Sequence, residues 1–200
     1  MPQPRRPRGP DILDTEARLV ARARTGDMDA FEQLAGSHAD RLFAVLLRLL
    51  GNRAEAEDVA QEVMLRAWRG IGHFHGHSLF FTWLYRIAIN EANRSLERSS
   101  RRPVSVSIDA EALQVPASAH DQPSMRLEQT QLHKALSKAL ADLPPDYRTA
   151  IVLRDVEGLS TQQAAQIAGV GQAAFKSRLH QARLKVRAAI GDEALIDAGR

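Results

Sequence analysis

Two hundred residues suffice for one medium domain or two small ones, and 44% apolar residues can supply a core. No apolar run reaches the ~18 residues that a membrane span needs; the nearest, Leu42 to Leu50, is broken by Arg48, and "MPQPRRPRGP" lacks the apolar stretch of a secretory signal. The absence of cysteine excludes disulfides and thiolate chemistry and fits a cytoplasmic chain, while the net charge of +3 is unevenly spread along it.

In chain order, residues 1–10 read as a disordered Arg/Pro arm, followed by a short helix around Glu16 to Thr25. Phe31, Leu34, His38, Leu42, Val45 and Leu49 recur at steps of three and four, with Asp27 as a cap and Gly51 as a stop. A second stripe holds Ala60, Met64, Ala67, Trp68 and Ile71, and a third holds Phe80, Trp83, Leu84, Ile87 and Ala88. These amphipathic helices predict a small bundle over residues 11–98. Periodicity stops between Ser99 and Ser124, a Ser-, Ala- and Pro-rich stretch that reads as a linker, and Val104, Val106 and Ile108 alternate in it without a partner strand. Helical spacing resumes at Leu132, Leu136, Ala139 and Leu143, "PPD" stops it, and a further helix is expected from Tyr147 to Glu157.

Ser160 with Gln163 has the form of a capping box, Gly169 ends that short helix, Gly171 allows another bend, and a basic helix begins near Gln172. Short helix, glycine-containing turn and basic helix make a helix-turn-helix pattern within residues 125–190, before a tail at 191–200. The fold expected is all-α: two small helical domains joined by a flexible linker, the C-terminal one a helix-turn-helix.

Charge separates the partners. From Gly158 to Gly191 there is no acid, while Lys176, Arg178, Arg183, Lys185 and Arg187 are basic. Phe175, Leu179, Ala182 and Val186 face that helix's own core, leaving Gln172, Lys176, Ser177, His180, Gln181 and Arg183 outward, with Arg178 counted among the DNA candidates. Such donors suit phosphates and purine edges in a major groove. Residues Arg53 to Glu62 are acidic instead, and Asp58, Gln61, Glu62, Leu65 and Arg69 share the face opposite the apolar stripe, a surface for a basic protein partner.

"AEAEDVAQEVMLRAWR" followed by "FHGHSLFFTWLYRIAIN" resembles the second conserved region of bacterial sigma factors. "LPPDYRTAIVLRDVEGLSTQQAAQIAGVGQAAFKSRLHQARLKVR" resembles their fourth, and the short spacing without a third domain resembles the extracytoplasmic-function (ECF) group. The resemblance implies a promoter-specificity subunit of RNA polymerase without catalysis or cofactor. Asp58, Gln61, Glu62 and Leu65 would dock on the core enzyme, the helix carrying Trp83, Tyr85, Arg86 and Asn90 would open and read the −10 element, and the basic helix would read the −35 element. The linker would run through polymerase channels, and an anti-sigma factor is a possible partner.

Under that resemblance, "GHFHGHSLFFTWLYRIAIN" (Gly72 to Asn90) is a surface for unpaired bases, on which aromatic rings stack. Phe74 and Phe81 are expected to make contact, whereas Phe80 and Trp83 lie in the apolar stripe and suit the core better. Arg86, Asn90, Asn93 and Arg94 are placed opposite Phe80, Leu84 and Ile87. Gly72 and Gly76 let the loop bend around a nucleotide, His75 and His77 line it, and the helix after Ser78 offers free N–H groups to phosphate. His-x-His-x-His could bind zinc on a strand beside a carboxylate, but it sits on a loop with no other histidine near in sequence, so a metal hydrolase is disfavoured. Ala174 and Phe81 depart from the family pattern and affect promoter sequence rather than activity class. The rival reading is a stand-alone helix-turn-helix regulator.

Overall fold

Caps and left-handed glycines set several of the helix boundaries. The computed structural model describes residues 9–100 and 135–197, with side chains described over 15–99 and 135–191. Helix α1 (Gly9–Arg24) precedes α2 (Met28–Leu50), whose first turn is capped by the Asp27 carboxylate accepting from the Ala30 N–H at 3.0 Å and whose end is Gly51 at φ 70. Asn52 caps α3 (Arg53–Gly70) by accepting from the Glu55 N–H. A 3-10 turn, Ile71–His73, and a loop lead into α4 (Phe80–Ser100). The second half holds α5 (135–141), α6 (Pro145–Ile151) continued by a π turn (Val152–Val156), α7 (Thr161–Ala168) and α8 (Gln172–Asp197). Among the described residues there is no strand.

The Ser160/Gln163 capping box and the Gly169 stop stand as expected. Three boundaries differ. Gly9 and Pro10 already belong to α1 rather than to the arm, and α8 continues through Gly191 to Asp197. "PPD" also starts a helix as well as stopping one: Pro145 takes the first helical position, where no N–H is needed, so α6 begins before Tyr147. Its end widens into the π turn, closed by the Glu157 N–H donating to the Val152 carbonyl at 2.9 Å. The linker from residue 101 onward, including Val104 to Ile108, lies outside the described residues.

The stripes of α2, α3 and α4 meet through Leu42, Val45, Leu46, Val63, Ala67, Phe80 and Leu84, all buried. The second half does not stand apart. Val152, Leu153, Ile167 and Phe175 belong to the same continuous core, and α4 packs on α7 while α2 packs on the π turn. Arg148 crosses this seam. It is 8% exposed, and its guanidinium donates to the Leu49 carbonyl at the end of α2, to the Ala141 carbonyl at the end of α5, and to Leu143 at 3.3 Å. One cation thus satisfies last-turn carbonyls of two helices, where positive charge also suits the helix dipoles.

His38, on the α2 stripe, is half-buried between the rings of Phe80 (5.9 Å) and Phe81 (6.1 Å). Burial holds its pKa below the ordinary value of 6.5.

Two stability predictions follow from these side chains. Arg148→Met strands buried carbonyls at about 1–3 kcal/mol each, so the urea midpoint should fall sharply, and Arg148→Lys should recover little because one ammonium cannot fork to both helices. An unchanged midpoint would refute this role. For His38 the unfolded chain binds the proton more readily, so stability is full above pH 6.5 and is lost as pH falls toward the depressed folded value. His38→Phe should flatten that decline in thermal melts between pH 7 and pH 5; an identical slope would dismiss His38 as its source.

Candidate functional site

Three surfaces carry the candidate residues. On α3, Asp58 and Gln61 are exposed, Leu65 is 50% exposed, and the half-buried Glu62 pairs with Arg66 at 2.6 Å. The structure adds what the sequence did not show. A groove of about 850 Å³ runs between α3 and α2, walled by Phe31, Phe43, Met64 and Trp68, with Glu32 and Asp40 on its rim and Gln61 and Leu65 at its edge. Met28 and Phe43 fall off the buried stripe of α2, which is the only hint of it in the sequence. An apolar channel with acidic rims suits an amphipathic basic helix.

The loop and α4 make the second surface. His73, His75, His77 and Leu79 are exposed, the His75 and His77 rings lie 6.1 Å apart, and Gly76 alone of the loop glycines needs its freedom, at φ 73. Phe74 is not a contact residue in this fold. It is 6% exposed, packed edge-on to Phe80 at 6.0 Å and against Trp83 at 5.2 Å, because the 3-10 turn folds it back onto the bundle. The start of α4 is also occupied: the Phe80 N–H donates to the Glu16 carboxylate of α1 at 3.3 Å, which removes a donor and places a negative charge where phosphate was expected.

Along α4 the roles of the aromatics change. Trp83 is only partly buried and lies close over Gly70, where an added Cβ would meet its ring at 3.3 Å. At about 100° per residue, Asn90 and Arg94 fall beside Trp83 and Ile87, not opposite them, and these four line one polar cleft of about 380 Å³ with Arg66, Arg69 and Glu91. Glu91 is buried in that cleft and pairs with Arg66 (3.1 Å) and Arg94 (2.7 Å). Neither Arg66 nor Glu91 was singled out from the sequence, although Glu91 stands in register with Phe80 and Leu84. Arg86 is exposed, Asn93 half-buried, and Phe81 half-buried beneath Arg41 at 5.7 Å. Tyr85 is fully buried, with its ring 4.4 Å from Phe81 and its hydroxyl pKa raised by burial. The C-terminal half packs on α4 through α7, which local periodicity could not foretell.

The third surface is α8. Gln172, Lys176, Ser177, His180 and Gln181 are exposed at its start, while Phe175, Leu179 and Ala182 are buried. Two arginines are already engaged: Arg178 pairs with Asp146 at 3.1 Å, and Arg183 forks onto Asp155 at 2.9 and 2.5 Å. Residues 158–191 do lack acids, but carboxylates from just before that stretch fold back onto it. Arg183 would therefore have to share or exchange its partner to reach a phosphate.

Phe74→Ala should cost about 3–5 kcal/mol of stability as a buried aromatic truncation, whereas Arg69→Ala, on the open cleft, should stay within about 0.5 kcal/mol. Thermal unfolding decides: a wild-type transition in Phe74→Ala would return that ring to the surface.

None of the helices among the described residues is long and apolar enough to cross a membrane. The family model for sigma-70 region 2 matches residues 34–102, and that for sigma-70 region 4 matches residues 133–186. The ECF RNA polymerase sigma-E factor of Haemophilus influenzae is 36% identical over 174 residues, covering 84% of this chain and 92% of that protein. The RNA polymerase sigma-H factor of Pseudomonas aeruginosa is 33% identical over 175 residues, covering 85% and 91%. Among solved structures, CnrH in complex with the cytosolic domain of CnrY aligns with TM-score 0.61 and 27% identity over 93% of this chain and 99% of that one. The sigma factor RpoE of Bartonella quintana, in complex with the anti-sigma factor NepR, aligns with TM-score 0.62 and 25% identity over 80% and 96%. With both sigma-70 regions in order and relatives matched over nearly their whole length, this chain belongs to the ECF group of RNA polymerase sigma factors.

Proposed function

We propose that the chain acts in the cytoplasm as an alternative sigma factor, binding core RNA polymerase and directing promoter-specific initiation without chemistry of its own. The observation that carries this reading is the division of surfaces. An acidic-rimmed apolar groove lies on α2 and α3, and separate polar or basic faces lie on α4 and α8. Asp58, Gln61, Glu62 and Leu65, extended by the α2 wall of the groove, hold the polymerase. The loop with His75, His77 and Leu79, together with Trp83, Arg86, Asn90 and Arg94, takes the opened −10 strand, where rings stack on bases at about 1–3 kcal/mol each. Gln172, Lys176, Ser177, His180 and Gln181 read the duplex −35 element, with the cation side chains setting its salt dependence.

An anti-sigma factor is a further proposed partner, because one of the similar structures is such a complex. A stand-alone helix-turn-helix regulator would have no use for a first half matching sigma-70 region 2.

Reversing Asp58 and Glu62 to lysine should abolish co-purification with core polymerase while leaving helical content intact, since a broken interfacial charge pair costs about 2–5 kcal/mol. Replacing Arg86 and Asn90 by alanine should spare that binding and reduce open-complex formation, which a template with a pre-opened bubble should restore. Undiminished polymerase binding in the first variant, or no bubble rescue in the second, would defeat the assignment.

A further inference from the structure

We propose that the C-terminal half carries a binding site for one saturated aliphatic chain ending in a carboxylate, the chemistry of a medium-chain fatty acid.

A cavity of about 550 Å³ opens between α5, the π turn and the far part of α8. That volume falls in the range of small-molecule sites, roughly 300–1,000 Å³. Its apolar walls are Leu136 and Leu140 of α5, Ile151 at the end of α6, Val156 of the π turn, and Val186 and Ile190 of α8. The α5 and α8 residues are i,i+4 pairs, so each helix turns one aliphatic row toward the cavity. Leu140 is buried, but Leu136, Val186 and Ile190 are only partly covered and Val156 is 39% exposed. The fold therefore leaves this apolar surface for something else to cover.

The lining decides the class of ligand. Among the described residues that line it there is no aromatic ring to stack on a heterocycle, and no amide or hydroxyl side chain to read a sugar. Its polar groups are Arg48, Arg183, Arg187 and Asp155. Arg48 is matched by Glu157 at 3.0 Å, and Arg183 forks onto Asp155. Arg187 is exposed and makes no ion pair among the described residues. One uncompensated guanidinium beside aliphatic walls fits one carboxylate on a saturated tail. The groove between α2 and α3 supplies the contrast, because Glu32 and Asp40 on its rim repel the same head group.

The test titrates the full chain, with its Ile, Leu and Val methyls labelled for NMR, against monomeric dodecanoate. Shifts are expected at Leu140, Ile151, Val186 and Ile190, with none at Leu65 in the other groove. Affinity measured by calorimetry should rise about fourfold per methylene from octanoate to dodecanoate. Dodecylammonium should bind this cavity at least about tenfold more weakly than dodecanoate. Arg187→Gln should lower dodecanoate affinity about fivefold and leave dodecanol unchanged. Ile190→Trp should fill the cavity and abolish binding of both. Arg187 is exposed, so its variant should fold and keeps the head-group assignment testable even where Ile190→Trp unfolds the chain. The proposal is overturned if dodecanoate leaves the cavity methyls unmoved, or if dodecylammonium binds there as well as dodecanoate. It is equally overturned if Arg187→Gln weakens alcohol and carboxylate alike, or if a folded Ile190→Trp binds undiminished.

Discussion

The arrangement of this molecule depends on one buried cation. Arg148 has no carboxylate within its set of hydrogen bonds; it is held by carbonyls at the ends of α2 and α5 and beside them at Leu143. Burial pushes its pKa down, yet a guanidinium stays charged far beyond any working pH. The chain must therefore keep those carbonyls aimed at it or bury an unsolvated charge, which would be far more expensive than the hydrogen bonds are favourable. That requirement fixes where α6 stands against α2, and with it where the π turn and helix-turn-helix sit relative to the first bundle.

Around that anchor, charge is distributed by distance from the seam. The Glu157 side chain is largely covered and doubly paired, while Asp146 and Asp155 hold Arg178 and Arg183 at the surface. The exposed pairs are worth little individually in water and exchange readily. The basic helix can thus trade Asp155 for a phosphate at small cost, whereas leaving Glu157 unpaired inside would be costly. The first half shows the same contrast: Glu91 is buried between Arg66 and Arg94 and stiffens the cleft beneath Trp83, but the i,i+4 pair Arg53–Glu57 is exposed.

Much was legible in the residues alone. The all-α class, the Asp27 and Ser160 caps, the Gly51 and Gly169 stops and the buried row Phe175–Leu179–Ala182 all follow from local chemistry: side-chain oxygens near free N–H groups, glycine at positive φ, and a 3.6-residue period. The exposed faces of α3 and α8 were legible for the same reason, since an amphipathic helix shows its outer side in its own sequence. The motifs quoted from the first half lie within the residues that the region 2 model matches, and all but the last residue of the C-terminal motif lies within those of the region 4 model.

What only tertiary structure decided concerns surfaces made by elements distant in sequence. Tyr85, placed among the −10 residues, is fully buried, and the helix that carries it packs on α6 and α7, which lie beyond a 34-residue gap in the described chain. Phe74 turns inward and Trp83 partly outward because a 3-10 turn, not a helix, joins α3 to the loop. One of the free N–H groups expected at the start of α4, that of Phe80, meets Glu16 of α1, and the apparently acid-free helix meets Asp146 and Asp155. Periodicity assigns each side chain an angle about its own helix axis; it carries no information about which other helix, or open solvent, lies in that direction.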